Sequence, residues 1–336
     1  MRAVLCRAPG ELEVIERPMP RPKPGEALVR IRRIGVCGTD MHIYQGNQPY
    51  FDYPRVMGHE LSGEIAEAPK DSPLRKGDAV YIVPYLSCGA CIACRAGKTN
   101  CCTSMKVLGV HIDGGMCEYM ALPQSILFRA EGISLDQAAM VEFLAIGAHA
   151  VARAQIGPGQ RALIVGIGPI GVGVVIFARL AGSEVTVIDG RDDRLAFCKR
   201  HLGVETAIKL GPDDVKEMAG RTGGEFYHHV FDATGNPKAM ERGFALVGHG
   251  GTYVLVSLVQ GKIGFADPEF HKRETTLLSS RNATLADFAT VLAAMQAGKV
   301  PTQAINTHRA PLGELPQRMP EWISPEAGAI KALLEI

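Results

Sequence analysis

Between Arg161 and Asp189 the chain runs strand, glycine-rich turn, helix and strand, then ends in an acid. Few folds accommodate that order. Ala162-Leu-Ile-Val165 is a short apolar run of the buried-strand kind, and Gly157-Pro-Gly-Gln160 before it is a turn. Gly166-Ile-Gly168-Pro-Ile-Gly171 follows at once, then a helix-length apolar segment through Leu180 and a second strand from Glu184 to Asp189. In such a unit Gly166 allows the tight turn, Gly168 lets the backbone approach a pyrophosphate, and Gly171 lets helix and strand pack closely. Amides at the helix start face the phosphates, and the helix dipole adds to them. Asp189 lies 18 residues after Gly171 (189 − 171), where an acid accepts hydrogen bonds from an adenosine ribose. A carboxylate there repels a 2′-phosphate, so the expected cofactor is NAD and not NADP. Arg191 is a nearby charge that pulls the other way.

The rest of the sequence bounds the setting. A length of 336 residues suggests two domains, and 46% hydrophobic residues suffice for a large core. The formal net charge of +1 gives no reason to expect nucleic acid or an acidic membrane as partner. Met1-Arg-Ala-Val-Leu-Cys6 leads straight into a strand-like pattern, so no targeting segment is expected. Ala162 to Ala178 is broken by glycines and a proline and is shorter than the roughly 20 residues of a membrane span. There are nine cysteines, and five fall between Cys88 and Cys102, which reads as metal ligation in a reducing compartment. A soluble cytoplasmic protein is expected.

The first 150 residues read as β-rich. Strands are expected at Ala27 to Arg32 and Ser62 to Glu67, with extended loop at Arg17 to Pro24. Leu135 to Ala154 has helical spacing and is expected to join the two domains. From 155 to about 280 strands alternate with helices: Arg161 to Val165, Glu184 to Ile188, Tyr227 to Ala233, Gly251 to Leu258 and Leu277 to Ser279. That order predicts a doubly wound parallel sheet. An amphipathic helix over Ala286 to Ala297 and a last strand over Ile330 to Ile336 complete the chain. The fold class is therefore α/β: a β-rich domain of residues 1–150 followed by a dinucleotide-binding domain from 151.

Cysteine spacing predicts one metal site, and a second set of donors lies elsewhere in the chain. Cys88, Cys91, Cys94 and Cys102 are spaced by 3, 3 and 8 residues, and four thiolates in a tetrahedron make a closed structural zinc site. Cys101 is the competing fourth ligand. Such a lobe has little apolar core, so the metal supplies folding energy. Cys37 and His59 sit on separate loops, with Glu60 beside His59 and Glu142 after the apolar Ala138-Ala-Met-Val141. Three protein ligands leave a place for water or substrate, as a catalytic zinc requires.

At these residues the chain resembles the zinc-dependent medium-chain dehydrogenases, of the polyol branch that includes sorbitol dehydrogenase. The resemblance rests on Gly35-Val-Cys-Gly-Thr-Asp-Met-His42, Gly58-His-Glu60, the cysteine spacing through Cys102, Val141-Glu142, Gly166-x-Gly-Pro-Ile-Gly171, Asp189 and Arg194. It covers essentially the whole chain. It implies a GroES-like domain of residues 1–150, completed by 282–336 and holding two zinc ions, a Rossmann domain of 151–281 between them, and a homodimer or homotetramer. By the same resemblance Cys37 and His59 are catalytic zinc ligands, with Glu60 or Glu142 third and Glu142 also a substrate contact. Thr39 and His42 relay the alcohol proton outward. Ile170, Asp189, Arg194, Val256, Ser257 and Leu258 touch the cofactor, and Arg281 and Asn282 touch substrate. Ile43, Phe143 and Asn282 depart from the sorbitol enzymes near the expected pocket, and Ala68 stands where a glycine is common.

The activity implied is oxidation of a secondary alcohol by NAD. Gly46 to Val56, Val107 to Gly115, and Asp267 to Thr276 followed by Ser280 to Thr284 look more like the L-galactonate 5-dehydrogenase group than sorbitol dehydrogenase itself. An aldonate such as L-galactonate or L-gulonate, oxidised at C5, is therefore the expected substrate. A guanidinium at Arg281 suits a carboxylate or a diol. The alternatives are a sorbitol or threonine dehydrogenase, a reductase without catalytic zinc, and a non-catalytic NAD-binding regulator. Intact metal ligands and relay residues argue against the last two.

Overall fold

The computed structural model describes residues 1–336, which form two compact units: Met1–Glu142 with Leu292–Ile336, and Phe143–Val291. In chain order the first unit opens with β1 (Arg2–Ala8), β2 (Glu11–Glu16), β3 (Glu26–Val36), β4 (Arg55–Val56), β5 (Glu60–Glu67) and β6 (Ala79–Ile82). β7 (Tyr85–Leu86), β8 (Lys106–Val107), β9 (Tyr119–Pro123) and β10 (Leu127–Arg129) follow. The second unit contributes β11 (Arg161–Val165), β12 (Glu184–Asp189), β13 (Thr206–Lys209), β14 (Tyr227–Asp232), β15 (Val247–Leu255) and β16 (Thr276–Ser279). The chain then returns to the first unit with β17 (Asn306–Pro311) and β18 (Lys331–Glu335).

The first unit is organised on β3. Ala27, Val29 and Ile31 alternate with more exposed neighbours, the period of a strand with one face in the core. One edge of β3 pairs with β5 along its length. The other edge is shared: β9 takes Glu26 to Arg30, and β18 takes Arg33 to Val36. The C-terminal end of β3 is therefore flanked on both sides, with Gly35 opposite Glu60 and Val36 opposite Ala332. That register brings Glu60, Lys331 and the residue after β3, Cys37, to one end of the sheet.

The second unit is a six-stranded parallel sheet in the order β13-β12-β11-β14-β15-β16. Counted from β11 this is 3-2-1-4-5-6, the doubly wound order whose crevice lies beyond the carboxyl ends of the strands. Leu163, Val165, Ile188, Val230 and Tyr253 form its core, and the helix Pro169–Leu180 buries Val172 to Ala178.

Three elements differ from expectation. β13 has no counterpart in the sequence reading, since Thr-Ala-Ile-Lys offers one buried apolar side chain, Ile208, and no alternation to detect. Leu135 to Ala154 is two helices, Leu135–Ala138 and Val141–Ala154; Ser134 and Gln137 close a capping box on the first, and Glu142 enters the first turn of the second. β15 covers Val247–Leu255 and not Gly251 to Leu258, because the amides of Val256 and Ser257 turn to the Asp232 carbonyl at 2.9 and 3.3 Å.

Gly63 on β5 shows how closely β3 and β5 pack. A Cβ there would lie 2.3 Å from the Arg30 carbonyl oxygen. Gly63→Ala is expected to destabilise the protein by about 1–3 kcal/mol, the usual cost of overpacking. Thermal unfolding measures it, and an unchanged melting temperature would contradict this packing.

Candidate metal centres and cofactor site

Cys37, His59 and Glu60 each offer a ligand atom within 4.8 Å of the others. Cys37 caps the helix Gly38–Tyr44, and its amide donates to Asp40 Oδ2 at 2.9 Å. His59 and Glu60 follow the loop after β4, with Glu60 opening β5. His59 is 5% exposed and Glu60 is fully buried. Gly35 makes room for that carboxylate: a Cβ on it would stand 2.0 Å from Glu60 Oε2.

Three neighbours that the sequence reading did not single out complete the cluster. Lys331, fully buried, donates to both Glu60 oxygens at 2.7 and 2.8 Å and to the Val36 carbonyl at 3.2 Å. Its one sequence signal was a lysine inside the apolar strand Ile330 to Ile336, unusual because an unpaired buried ammonium is costly. Asp40, also fully buried, places Oδ1 3.9 Å from His59 Nδ1, and neither atom has a hydrogen-bond partner. Asp40 stands three residues after Cys37, at capping-box spacing, which was the available clue. Tyr85 donates its hydroxyl to Glu142 Oε1.

The electrostatics favour a cation here. Burial pushes the Asp40 carboxyl above its ordinary range. Burial does the same to Glu142, with His59 opposing and Glu60 reinforcing. Burial works against a charged His59, yet Cys37 and Asp40 outweigh it and raise its pKa well above the usual value. A thiol, three carboxyls and an imidazole thus face one buried lysine. Thiolate, imidazole and carboxylate are also the donor set of a zinc site. A carboxylate beside the imidazole is what orients a metal-ligating histidine. These residues fit a zinc ion.

The second cluster is on the lobe after β7. The sulfurs of Cys88, Cys91, Cys94 and Cys102 lie within 4.8 Å of one another. Cys102 is buried, whereas Cys101 is exposed and outside the group. Backbone amides point at the sulfurs: Cys88 N to Cys102 Sγ at 3.2 Å and Cys91 N to Cys88 Sγ at 3.4 Å. The amides of Cys94 and Thr103 pull the Cys91 thiol down to about 5. Desolvation and the Cys91 thiol push Cys94 up to about 11. Four thiols sharing protons in one pocket fit a single divalent metal, which holds all four as thiolates.

In the second unit Gly166 has φ +87°, and a Cβ on Gly171 would come 2.0 Å from the Gly166 carbonyl oxygen. A Cβ on Gly168, the cap of the helix Pro169–Leu180, would meet nothing within 4 Å. The open face needed by a phosphate is therefore present. Asp189 ends β12 and accepts from the amides of Ile167 at 2.6 Å and Arg191 at 2.8 Å. Ile170 lies in the first turn of the same helix, and Arg194 is buried on the helix Asp192–His201. Val256, Ser257 and the exposed Leu258 follow β15. Asp189 and Val256 to Leu258 thus stand beyond the carboxyl ends of two strands of one sheet, β12 and β15, with β11 and β14 between them, the edge at which such a sheet binds a dinucleotide.

The remaining expected residues are placed as follows. Thr39 is half-buried on the helix after Cys37. His42 is exposed on that helix, with Nδ1 2.8 Å from Asn47 Oδ1. Arg281 and Asn282 lie on the loop between β16 and the helix Leu285–Gln296, Asn282 in the left-handed region at φ +52°. No helix is long and apolar enough to cross a membrane.

Comparison with known proteins agrees with this arrangement. Residues 23–132 match the alcohol dehydrogenase GroES-like domain, and residues 169–297 match the zinc-binding dehydrogenase family. The chain is 43% identical over 316 residues to the L-galactonate-5-dehydrogenase of Escherichia coli K12, covering 94% of this chain and 93% of that one. It is 32% identical to the L-threonine 3-dehydrogenase of Pyrococcus horikoshii, covering 92% and 91%. The crystal structure of the alcohol dehydrogenase RspB of E. coli CFT073, complexed with NADH, superposes with a TM-score of 0.93 at 29% identity, covering 100% of this chain and 99% of that one.

Two predictions follow from the clusters. Lys331→Met leaves the Glu60 carboxylate buried without its cation, which should cost about 3–5 kcal/mol of stability in metal-stripped protein. Chemical denaturation tests it; a variant as stable as the wild type would show that Glu60 does not depend on Lys331. Cys91→Ser should lose one equivalent of zinc and unfold at a lower temperature. Metal analysis beside a thermal melt decides, and full zinc content would exclude Cys91 as a ligand.

Proposed function

We propose that this chain, which belongs to the zinc-type medium-chain alcohol dehydrogenase family, oxidises a secondary alcohol of a sugar acid to the ketone. The substrates that fit first are L-galactonate and L-gulonate, oxidised at C5 with NAD. The observation that carries the reaction class is the group of half-buried Cys37 with buried His59 and Glu60 at the end of β3. The substrate assignment is supported by the 43% identity to an L-galactonate-5-dehydrogenase.

Cys37, His59 and either Glu60 or Glu142 would hold a zinc ion, which would supply Lewis acidity toward the alcohol oxygen, with NAD as the hydride acceptor. Thr39 and His42 carry the alcohol proton outward. With Asn47 Oδ1 accepting from His42, Nδ1 bears the ring hydrogen and Nε2 is left to take a proton. The exposure of His42 lets it pass that proton to water. Asp40 holds the Cys37 loop and stands beside His59, which keeps both ligands oriented.

In the second unit, Gly166, Gly168, Ile170 and Gly171 cradle the pyrophosphate, and Asp189 accepts the ribose hydroxyls. Asp189 also repels a 2′-phosphate, which favours NAD. Arg194 and Val256 to Leu258 flank the dinucleotide. Arg281 and Asn282 contact substrate, Arg281 through a charge-assisted bond to the carboxylate. Such a bond is worth about 1.5–3 kcal/mol, roughly ten- to a hundredfold in kcat/KM. The active protein is a homodimer or homotetramer.

The test is kcat/KM with NAD for L-galactonate, L-gulonate, sorbitol, threonine and simple alcohols. The aldonates should lead, and Arg281→Ala should reduce them about tenfold or more while sparing sorbitol. A tenfold lead for sorbitol or threonine would overturn the substrate assignment.

A further inference from the structure

Tyr85 takes part in two structures at once. It opens β7, pairs with Val107 of β8, and stands three residues before Cys88. Its ring packs on the small apolar cluster of Cys102, Met105, Val107 and Val110, against which Cys91 and Cys94 also rest. That cluster is the floor of the four-cysteine lobe. The hydroxyl of the same side chain donates to Glu142 Oε1. Glu142 is 5% exposed and has His59 and Glu60 among its charged neighbours.

We propose that Tyr85 is a positioning residue that couples the four-cysteine lobe to the acid of the catalytic centre. This rests on Glu142 acting in that centre, as read above. A glutamate has three side-chain torsions, and fixing one oxygen on a rigid donor removes most of that freedom. Tyr85 supplies such a donor without adding charge. It occupies Oε1 and leaves Oε2 for metal or substrate. The donor itself is held by little: β7 and β8 are two residues each, too short to be stable alone. Their register depends on the lobe, which metal at its cysteines keeps folded. Order in the lobe therefore sets the orientation of Glu142.

Tyr85→Phe removes only the hydroxyl and keeps the ring on its floor. It is expected to lower kcat/KM about tenfold, the scale of one hydrogen bond to a carboxylate, and to shift the absorption bands of cobalt placed at the Cys37–His59 centre. Zinc at the cysteine lobe should be retained. Cys94→Ser should shift the same bands, and the double variant should be no worse than Cys94→Ser alone, because both act through one contact. Additive losses overturn the coupling, as does Tyr85→Phe with wild-type kcat/KM and bands. Glu142→Gln separates the two levels of the argument. Normal turnover in Glu142→Gln overturns the role of Glu142 and this proposal with it. A damaged Glu142→Gln beside a silent Tyr85→Phe overturns the proposal alone.

Discussion

The first unit depends on one buried ion pair. Glu60 and Lys331 are both shielded from water, and each would be prohibitively costly there without the other. Their pairing fixes the far end of β3, since Lys331 also donates to the Val36 carbonyl beside Cys37. The pair leaves Glu60 near Cys37 and His59 while giving its charge a partner other than a metal. In a zinc site that used Glu60, the ammonium would compete with the metal for its carboxylate. Both acids are already engaged, Glu60 by an ammonium and Glu142 by a phenol.

The two units show opposite relations between sequence and site. In the second unit the cradle is contiguous: strand, glycines, helix and acid occupy Arg161 to Asp189, so local spacing carries its geometry. The cysteine lobe is similar, with Cys88, Cys91 and Cys94 inside a single turn of chain. The Cys37 cluster is different. Its motif residues are visible, but what surrounds them comes from long-range pairing. Lys331 reaches Glu60 across 271 residues, and no periodicity encodes that meeting. Tyr85 and Glu142 meet across 57. β13 escaped notice for a further reason, since four residues with one buried side chain lie below what an apolar pattern can signal.

Asp189 has a dual place in the second unit. Its oxygens accept from the amides of Ile167 and Arg191, so the acid braces the glycine turn that it faces. A carboxylate used in this way is preorganised: its orientation is fixed by the loop and not by a ligand. Exchanging the acid at the end of β12 would remove the carboxylate that the Ile167 amide, in the turn after β11, donates to.

The ion pair also bears on how the chain is made. The second unit is one continuous stretch, Phe143–Val291, whereas the first needs β18 before the C-terminal end of β3 is flanked on both edges. Lys331 is synthesised 271 residues after Glu60, which at translation rates of about 5–20 residues per second is roughly fifteen to fifty seconds. Throughout that interval the Glu60 carboxylate lacks the ammonium it meets in the folded protein. The water-free end of β3, beside the cysteine and histidine, therefore takes its final form from one of the last segments of the chain to be made.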